Sequence, residues 1–397
     1  MKDAPDILEI LEKDIKIPER VNEKAEEAFR KIYAECEDKG KTANDVKIRS
    51  NGKRRKRTAV YIAAAAIAVS AVTAVAAVLR WSESLSDGLQ VSEEQMKALE
   101  TSGMNKFVEQ PCTSNGVTVT AVQSITDSYY TYIAFKVDGF ELKEGDSPCF
   151  ENINVTLDGE SDFGYSASFW DGTVSDNEGN VVNADGSKLK IGENGNILLD
   201  YVLDDGSMEY QMILTNGTDD PGYFIGKQLH VELENLGTAP KADFSLRTEG
   251  KWTFDWTLGG ADTTRVCETD YQLEDTGATV KKLKISPISV VAEYDFPRQE
   301  IVEECIEENG EISTFTRYAE PPSVAGVKLK DGTVIKYLYG GPGGGGYDGA
   351  VGNTYRSKEA ADRIIDPDEV ESVLFLKNYT QWKDMETPEF IEMPLDK

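Results

Sequence analysis

Gly116-Val117-Thr118-Val119-Thr120-Ala121-Val122-Gln123-Ser124-Ile125-Thr126-Asp127-Ser128-Tyr129-Tyr130-Thr131-Tyr132-Ile133-Ala134-Phe135-Lys136-Val137 reads as two strands around a turn. Val117, Val119 and Ala121 alternate with Thr118 and Thr120, and Tyr129, Thr131, Ile133, Phe135 and Val137 share a face of the next run. A period of two belongs to a strand, because successive side chains there point to opposite faces. With Asp127-Ser128 as the turn, the stretch predicts a β-hairpin.

The same pattern recurs towards the C-terminus. Leu229, Val231 and Leu233 form one strand, and Trp252, Phe254, Trp256 and Leu258 form another. Lys282 to Val291 reads as a strand region bent at Pro287, and Val373 to Leu376 as a late strand. Asp331-Gly332 between Val327–Leu329 and Val334–Tyr337 is a hairpin signal. Short strands at this spacing suggest β-sandwiches, and the length exceeds one sandwich. Gly259-Gly260-Ala261-Asp262 marks a boundary, giving two immunoglobulin-like β-sandwich domains at 105–262 and 263–397. Residues 81–104 form a juxtamembrane helix and linker. Ser92-Glu93-Glu94-Gln95 resembles a capping box that opens a helix through Glu100, with Gly103 ending it.

The mean hydropathy of -0.42 conceals three regions. Residues 1–57 hold 16 Lys/Arg and 13 Asp/Glu, residues 58–79 hold no charge, and residues 80–397 hold 26 basic against 58 acidic side chains. The acidic part argues against nucleic acid as a partner, since phosphate binding needs a Lys/Arg surface. It favours solubility, with cationic peptides or divalent metal as the sharper reading.

Thr58 to Leu79, TAVYIAAAAIAVSAVTAVAAVL, is long enough to span about 33 Å as a helix, against a hydrocarbon core of about 30 Å. Lys53, Arg54, Arg55, Lys56 and Arg57 precede it and mark the cytoplasmic side, and Trp81 suits the far interface. This predicts a transmembrane helix with its basic flank at 53–80 and the large C-terminal region outside the cell. A buried Ala-rich helix and a signal peptide cleaved near Ala74-Val75-Ala76 are the alternatives.

The tail at 1–52 predicts short α-helices. Asp6 to Ile15 carries Ile7, Leu8, Ile10, Leu11 and Ile15 on one side, and the next helix carries Val21, Ala25, Ala28, Phe29 and Ile32 at a helical period. A tail this short builds no core of its own, so these stripes predict docking on a partner, with a loose helical hairpin as the bland alternative.

Motifs of catalysis are sparse. His230 is the one histidine and falls on the polar face of a strand. No Cys-x-x-Cys occurs, and Ser175-Asp176-Asn177 lacks the companion motifs of penicillin-binding enzymes. Gly340-Gly341-Pro342-Gly343-Gly344-Gly345-Gly346 lacks the Gly-Lys-Ser/Thr of a phosphate loop and reads as a flexible loop. Asp366-Pro367-Asp368-Glu369 reads as a short turn before Val370. No cofactor or metal is implied, and the chain does not read as an enzyme. Cys112, Cys149, Cys267 and Cys305 lie beyond the span, and their even count permits one disulfide per domain, at Cys112–Cys149 and Cys267–Cys305, among three connectivities.

The order of parts carries a resemblance. A helical tail with Ile17-Pro18-Glu19-Arg20-Val21, a basic run, one span, then Gly103-Met104-Asn105-Lys106 leading to Asn115-Gly116-Val117-Thr118-Val119 looks like a family of Gram-positive single-pass membrane proteins. Their outer region is a domain of unknown function, often followed by a second uncharacterised β domain. The Leu283–Pro287 strand and the Asp331-Gly332 hairpin are similar to that second domain. Members often stand beside extracytoplasmic-function sigma factors and are regarded as anti-sigma-factor-like. The resemblance thus implies a cytoplasmic sigma factor bound through Val21, Ala25, Phe29 and Ile32, and an outer region sensing an unknown extracellular ligand or envelope state. This tail has Cys36 but no histidine, so it departs from the His-x-x-x-Cys-x-x-Cys zinc motif of many anti-sigma factors. A surface binding or adhesion module anchored by the same span is the alternative.

Overall fold

The computed structural model describes residues 81–397, apart from 144, 193–194, 196, 219, 240–242, 307–311, 378–387 and 396–397. The expectations for Val21, Ala25, Phe29 and Ile32, for Lys53–Arg57 and for the span at 58–79 lie outside the described residues. No helix among the described residues is long and apolar enough to cross a membrane.

The described chain opens with two helices, α1 (Glu83–Ser86) and α2 (Glu93–Ser102). The capping box at α2 is complete. The Ser92 hydroxyl accepts from the Gln95 amide, and the Gln95 side chain accepts from the Ser92 amide. Gly103 closes α2 with φ of 81°, a left-handed conformation that costs glycine little.

Twelve strands build the first lobe. In chain order they are β1 (Asn105–Ser114), β2 (Val117–Thr126), β3 (Tyr130–Asp138), β4 (Pro148–Leu157), β5 (Gly164–Phe169), β6 (Thr173–Ser175), β7 (Val181–Asn183), β8 (Lys190–Ile191), β9 (Ile197–Leu198), β10 (Met208–Thr215), β11 (Gln228–Thr238) and β12 (Ser245–Thr257). One antiparallel sheet has the order β1-β2-β3-β10-β5, and the facing sheet has the order β12-β11-β4. Val119, Phe135, Tyr210 and Met212 of the first sheet meet Val231, Leu233, Trp252 and Phe254 of the second in one core. Register places Leu229 opposite Trp256, Val231 opposite Phe254 and Leu233 opposite Trp252. Such aliphatic–aromatic pairs are the stabilising unit of a sheet face. The Trp252 indole also donates to the Val117 carbonyl at 3.1 Å, tying the two sheets together.

The second lobe repeats the plan. Its strands are β13 (Arg265–Gln272), β14 (Thr279–Ile285), β15 (Ser289–Asp295), β16 (Glu300–Ile306), β17 (Ile312–Tyr318), β18 (Ser323–Leu329), β19 (Val334–Ile335), β20 (Gly343–Tyr347), β21 (Thr354–Ala360), β22 (Val370–Leu376) and β23 (Phe390–Pro394). Sheets ordered β13-β14-β15-β21-β20 and β19-β18-β22-β23 enclose Val280, Leu283, Ala292, Tyr294, Val327, Val373 and Phe375. β16 and β17 form a separate hairpin.

Two expectations change here. Lys282 to Val291 is not one bent strand: β14 and β15 are joined by a tight turn in which the Ser286 amide donates to the Ser289 carbonyl at 2.9 Å. The glycine run is not wholly loop, because Gly343–Tyr347 pairs with β21. Asp366 behaves as read, capping a short 3-10 turn at Pro367–Glu369.

Candidate functional site

The opening hairpin is buried on both faces at its turn end. Ile133, Phe135 and Val137 enter the first core, yet Tyr130, Tyr132 and Ala134 on the other face are buried too. The second lobe and the chain leading into the first lobe account for this. The Tyr132 hydroxyl donates to the Ala361 carbonyl at 2.7 Å, and α1 lies against β3 and β10.

Asp127 is the centre of the joint between the lobes. The turn of the first hairpin carries it, and the β14–β15 turn of the second lobe meets it. One carboxylate oxygen accepts the Tyr129 and Tyr130 amides, each at 2.7 Å. The other accepts the Ser286 hydroxyl and, at 2.5 Å, the Ser289 hydroxyl. Burial pushes the Asp127 carboxyl up from its usual range, and the four hydrogen bonds oppose that rise. Both hydroxyls donate to a carboxylate inside the protein, so the cluster is cohesive rather than reactive. Tyr129 beside it takes the Lys284 ammonium on its hydroxyl at 2.6 Å. Lys358 donates to the Asn216 and Thr218 carbonyls. The β6–β7 hairpin adds a second point of attachment. Asn177 accepts from the Arg363 guanidinium at 2.6 Å, and its carbonyl accepts the Lys336 amide at 2.8 Å. Ser175-Asp176-Asn177 is therefore part of an attachment: Asp176 caps its own turn by accepting from Glu178 and Asn180.

The second constellation fixes residues 81–103 to the first lobe. Glu209 on β10 is buried and accepts the Glu83 amide at 3.0 Å and the Ser84 amide at 2.6 Å. Burial pushes its carboxyl up, and the hydrogen bonds from Ser84 and Glu83 act against that. Gln123 accepts the Ser82 amide at 2.8 Å, and Gln211 donates to the Ser84 carbonyl at 2.6 Å. Leu85 and Leu89 are buried beside these contacts. Trp81 is buried as well: its indole donates to Glu100 at 2.8 Å, and its ring meets Phe107 edge-on. These contacts tie Trp81 to the start of β1 and the end of α2. The Leu89 carbonyl accepts the Ile364 amide at 3.0 Å, and Gln95 donates to the Ile364 carbonyl at 3.1 Å, so the same segment also touches the second lobe.

The remaining candidates fall elsewhere. His230 pairs with Asp255 across β11 and β12 at 2.9 Å. Cys112, Cys149, Cys267 and Cys305 are thiols, not disulfides. Cys112 and Cys149 sit on strands of opposed sheets, and Cys305 is on the separate β16–β17 hairpin while Cys267 is on edge strand β13, so equal sequence spacing did not translate into pairing. Glu268 and Asp270 line an open concavity with Lys281 and Lys282, and each acid is ion-paired there with a lysine. Among the described residues no group of three or more His, Cys, Asp or Glu side chains is arranged to hold a metal ion. Neither Asp127 nor Glu209 carries a motif. Their signal in the sequence is faint: Glu209 is an acid between Met208 and Tyr210 in a strand pattern, and Asp127 is an ordinary turn residue between Thr126 and Ser128.

No protein-family model matches the chain, and no curated protein matches it. Among solved structures it is similar to the crystal structure of a conserved domain protein from Bacillus anthracis, at 14% identity and a TM-score of 0.38, over 74% of this chain and 95% of that one. A likeness to the CupB6 tip adhesin from Pseudomonas aeruginosa has 10% identity and a TM-score of 0.14, over 72% of this chain and 96% of that one.

Proposed function

We propose that the chain is a single-pass membrane signalling protein of anti-sigma-factor-like type, with the two lobes outside the cell as immunoglobulin-like modules. The cytoplasmic tail would hold an extracytoplasmic-function sigma factor through Val21, Ala25, Phe29 and Ile32. The observation that supports this reading best is the fixing of residues 81–103. A span predicted to end at Leu79 leads directly into a segment held by Glu209, Gln123 and Gln211. A passive anchor needs only a loose tether, whereas transmission needs a stiff connection between the sensing region and the span. Copurification of the full chain from membranes tests it. A sigma factor should come down with the wild type and be lost in Phe29→Asp, since a carboxylate in an apolar helix face opposes docking. Recovery of the same proteins with both forms would count against the reading.

A surface binding module on the same anchor is the second reading. It is favoured by a strand edge in the second lobe that no other described strand covers.

A further inference from the structure

Sheet edges are usually protected, and most edges here are. β1 has a bulge between Phe107 and Gln110 and carries Pro111; β13 has a bulge and carries Glu268 and Asp270. β4 opens on Pro148, β12 carries Arg247, Glu249 and Lys251, β19 has two residues, and β23 ends in Pro394. β5 lies against β4, and its Tyr165 hydroxyl reaches the Ile153 carbonyl at 3.4 Å. Charge, proline, bulges and cover are the devices that stop strangers from pairing with an edge.

β20 has Pro342 just before it and Arg298 and Tyr318 against Tyr347 at its far end, but its four glycines between them carry no charge, proline or bulge. Gly343, Gly344, Gly345 and Gly346 are all exposed, and only β21 pairs with them among the described strands. The flanking bonds fix which groups face out. The Ala360 amide donates to the Pro342 carbonyl, and the Asp348 amide donates to the Thr354 carbonyl. Hydrogen-bonded pairs alternate along an antiparallel ladder, so Gly344–Lys358 and Gly346–Arg356 are bonded inward. Gly343, Gly345 and Tyr347 then turn their amides and carbonyls outward.

The glycines also open a path for β21 side chains. A Cβ at Gly343 would collide with the Glu359 carboxylate, and one at Gly345 would collide with the Tyr355 ring, so both side chains lie across the bare strand. Glu359 is mostly buried, and burial together with the nearby Glu320 pushes its carboxyl up to about 7. Among the described residues no hydrogen bond or ion pair meets that carboxylate. The neighbouring cations are engaged elsewhere: Arg356 with Glu293 and Asp348, Lys358 with Asn216 and Thr218, and Arg298 with Gly349 and Gly352.

We propose that the Gly343–Tyr347 edge receives an extended, basic segment of a partner protein as an added strand, with a lysine or arginine of that segment pairing with Glu359. Main-chain bonds would give affinity, and the waiting carboxylate would give selectivity. A second copy of this chain fits less well, because the region from residue 80 onward holds 58 acidic against 26 basic side chains and repels itself. The inference stands apart from the signalling reading, since it concerns binding alone.

The full-length chain in detergent is titrated with a ten-residue peptide of alternating valine and lysine. Binding and slowed hydrogen exchange at the Gly343, Gly345 and Tyr347 amides are expected. The valine–glutamate peptide, and a valine–lysine peptide N-methylated at alternate residues, should not bind. Gly344→Lys with Gly346→Lys should abolish binding without lowering the melting temperature, because a Cβ at either site meets open space. Gly344→Ser with Gly346→Ser should leave binding intact, and Glu359→Gln should weaken it about tenfold. Equal binding of the glutamate or N-methylated peptide, or no protection of the three amides, would overturn the proposal. So would a dimer of the chain alone that the lysine variant dissolves.

Discussion

Glu359 and Asp127 show how one side-chain type meets two fates. Asp127 loses water but gains four donors, so its carboxylate remains tied into the joint. Glu359 loses most of its water and meets no donor among the described residues, and Glu320 adds like charge. Its pKa in the folded protein, about 7, lies above the 4.5 of the free side chain. Between these values the folded state binds the proton and the unfolded state does not. Folding stability from this group is therefore full below about pH 4.5 and is lost as pH rises through 7. The span corresponds to about 3 kcal/mol. Asp362, pushed up to about 6 by burial, has the same sign. Urea unfolding of Glu359→Gln at pH 5 and pH 8 should give midpoints closer together than the wild type does. A wild type already as stable at pH 8 as at pH 5 would refute the assignment.

At the scale of elements, the segment 81–103 is secured by one side chain more than any other. Glu209 accepts two amides at the start of α1, a helix too short to persist in water unaided. Glu209→Ala leaves those amides without their acceptor, and hydrogen bonds to a charged group are worth about 1.5–3 kcal/mol. Hydrogen exchange at Glu83 and Ser84 should accelerate roughly tenfold or more, and Trp81 emission should shift to the red, while Phe135 and Trp252 stay protected in their core. Unchanged exchange at both amides would show that Leu85 and Leu89 suffice. Much of this scale was readable in advance. Alternation at Val117, Val119 and Ala121 and at Ile133, Phe135 and Val137 located β2 and β3, and Ser92 with Gln95 located α2. Tyr130 and Tyr132 were missed as buried because the cover of this face is not local: α1 lies against β3, and the Tyr132 hydroxyl meets Ala361, 229 positions away. β20 was missed because glycine has neither apolar pattern nor strand preference, and only its ladder with β21 makes it a strand. Glu209 was missed because composition counts acids without telling which one is buried.

At the scale of the molecule, two sandwiches with separate cores are held together by a joint that is largely polar. Each lobe has its own core, and the Asp127 cluster, Lys358 on Asn216 and Thr218, and Arg363 on Asn177 tie the two, so a single unfolding transition is expected. A polar joint of this kind holds in one geometry, since its hydrogen bonds are directional and a small rotation leaves buried groups unmet. Ser286→Ala with Ser289→Ala removes both hydroxyl donors from Asp127 and, in the β14–β15 turn, the oxygen that accepts the Ile288 and Ser289 amides, while the Tyr129 and Tyr130 amides still reach Asp127. The stranded carboxylate then prefers its proton more strongly, so the folded pKa rises further and the damage is greater at pH 8 than at pH 5. Calorimetry of the double variant at pH 8 should show two transitions in place of one, with the coupled state weakened by about 3 kcal/mol. The same variant separates binding from transmission. Peptide should still protect Gly343 and Gly345 in the second lobe, but any effect of that peptide on exchange at Glu83 and Ser84 in the first lobe should vanish. If the wild type couples the two sites and the double variant couples them equally, the connection runs through Leu89, Gln95 and Ile364 instead, and the Asp127 joint is cohesion without communication.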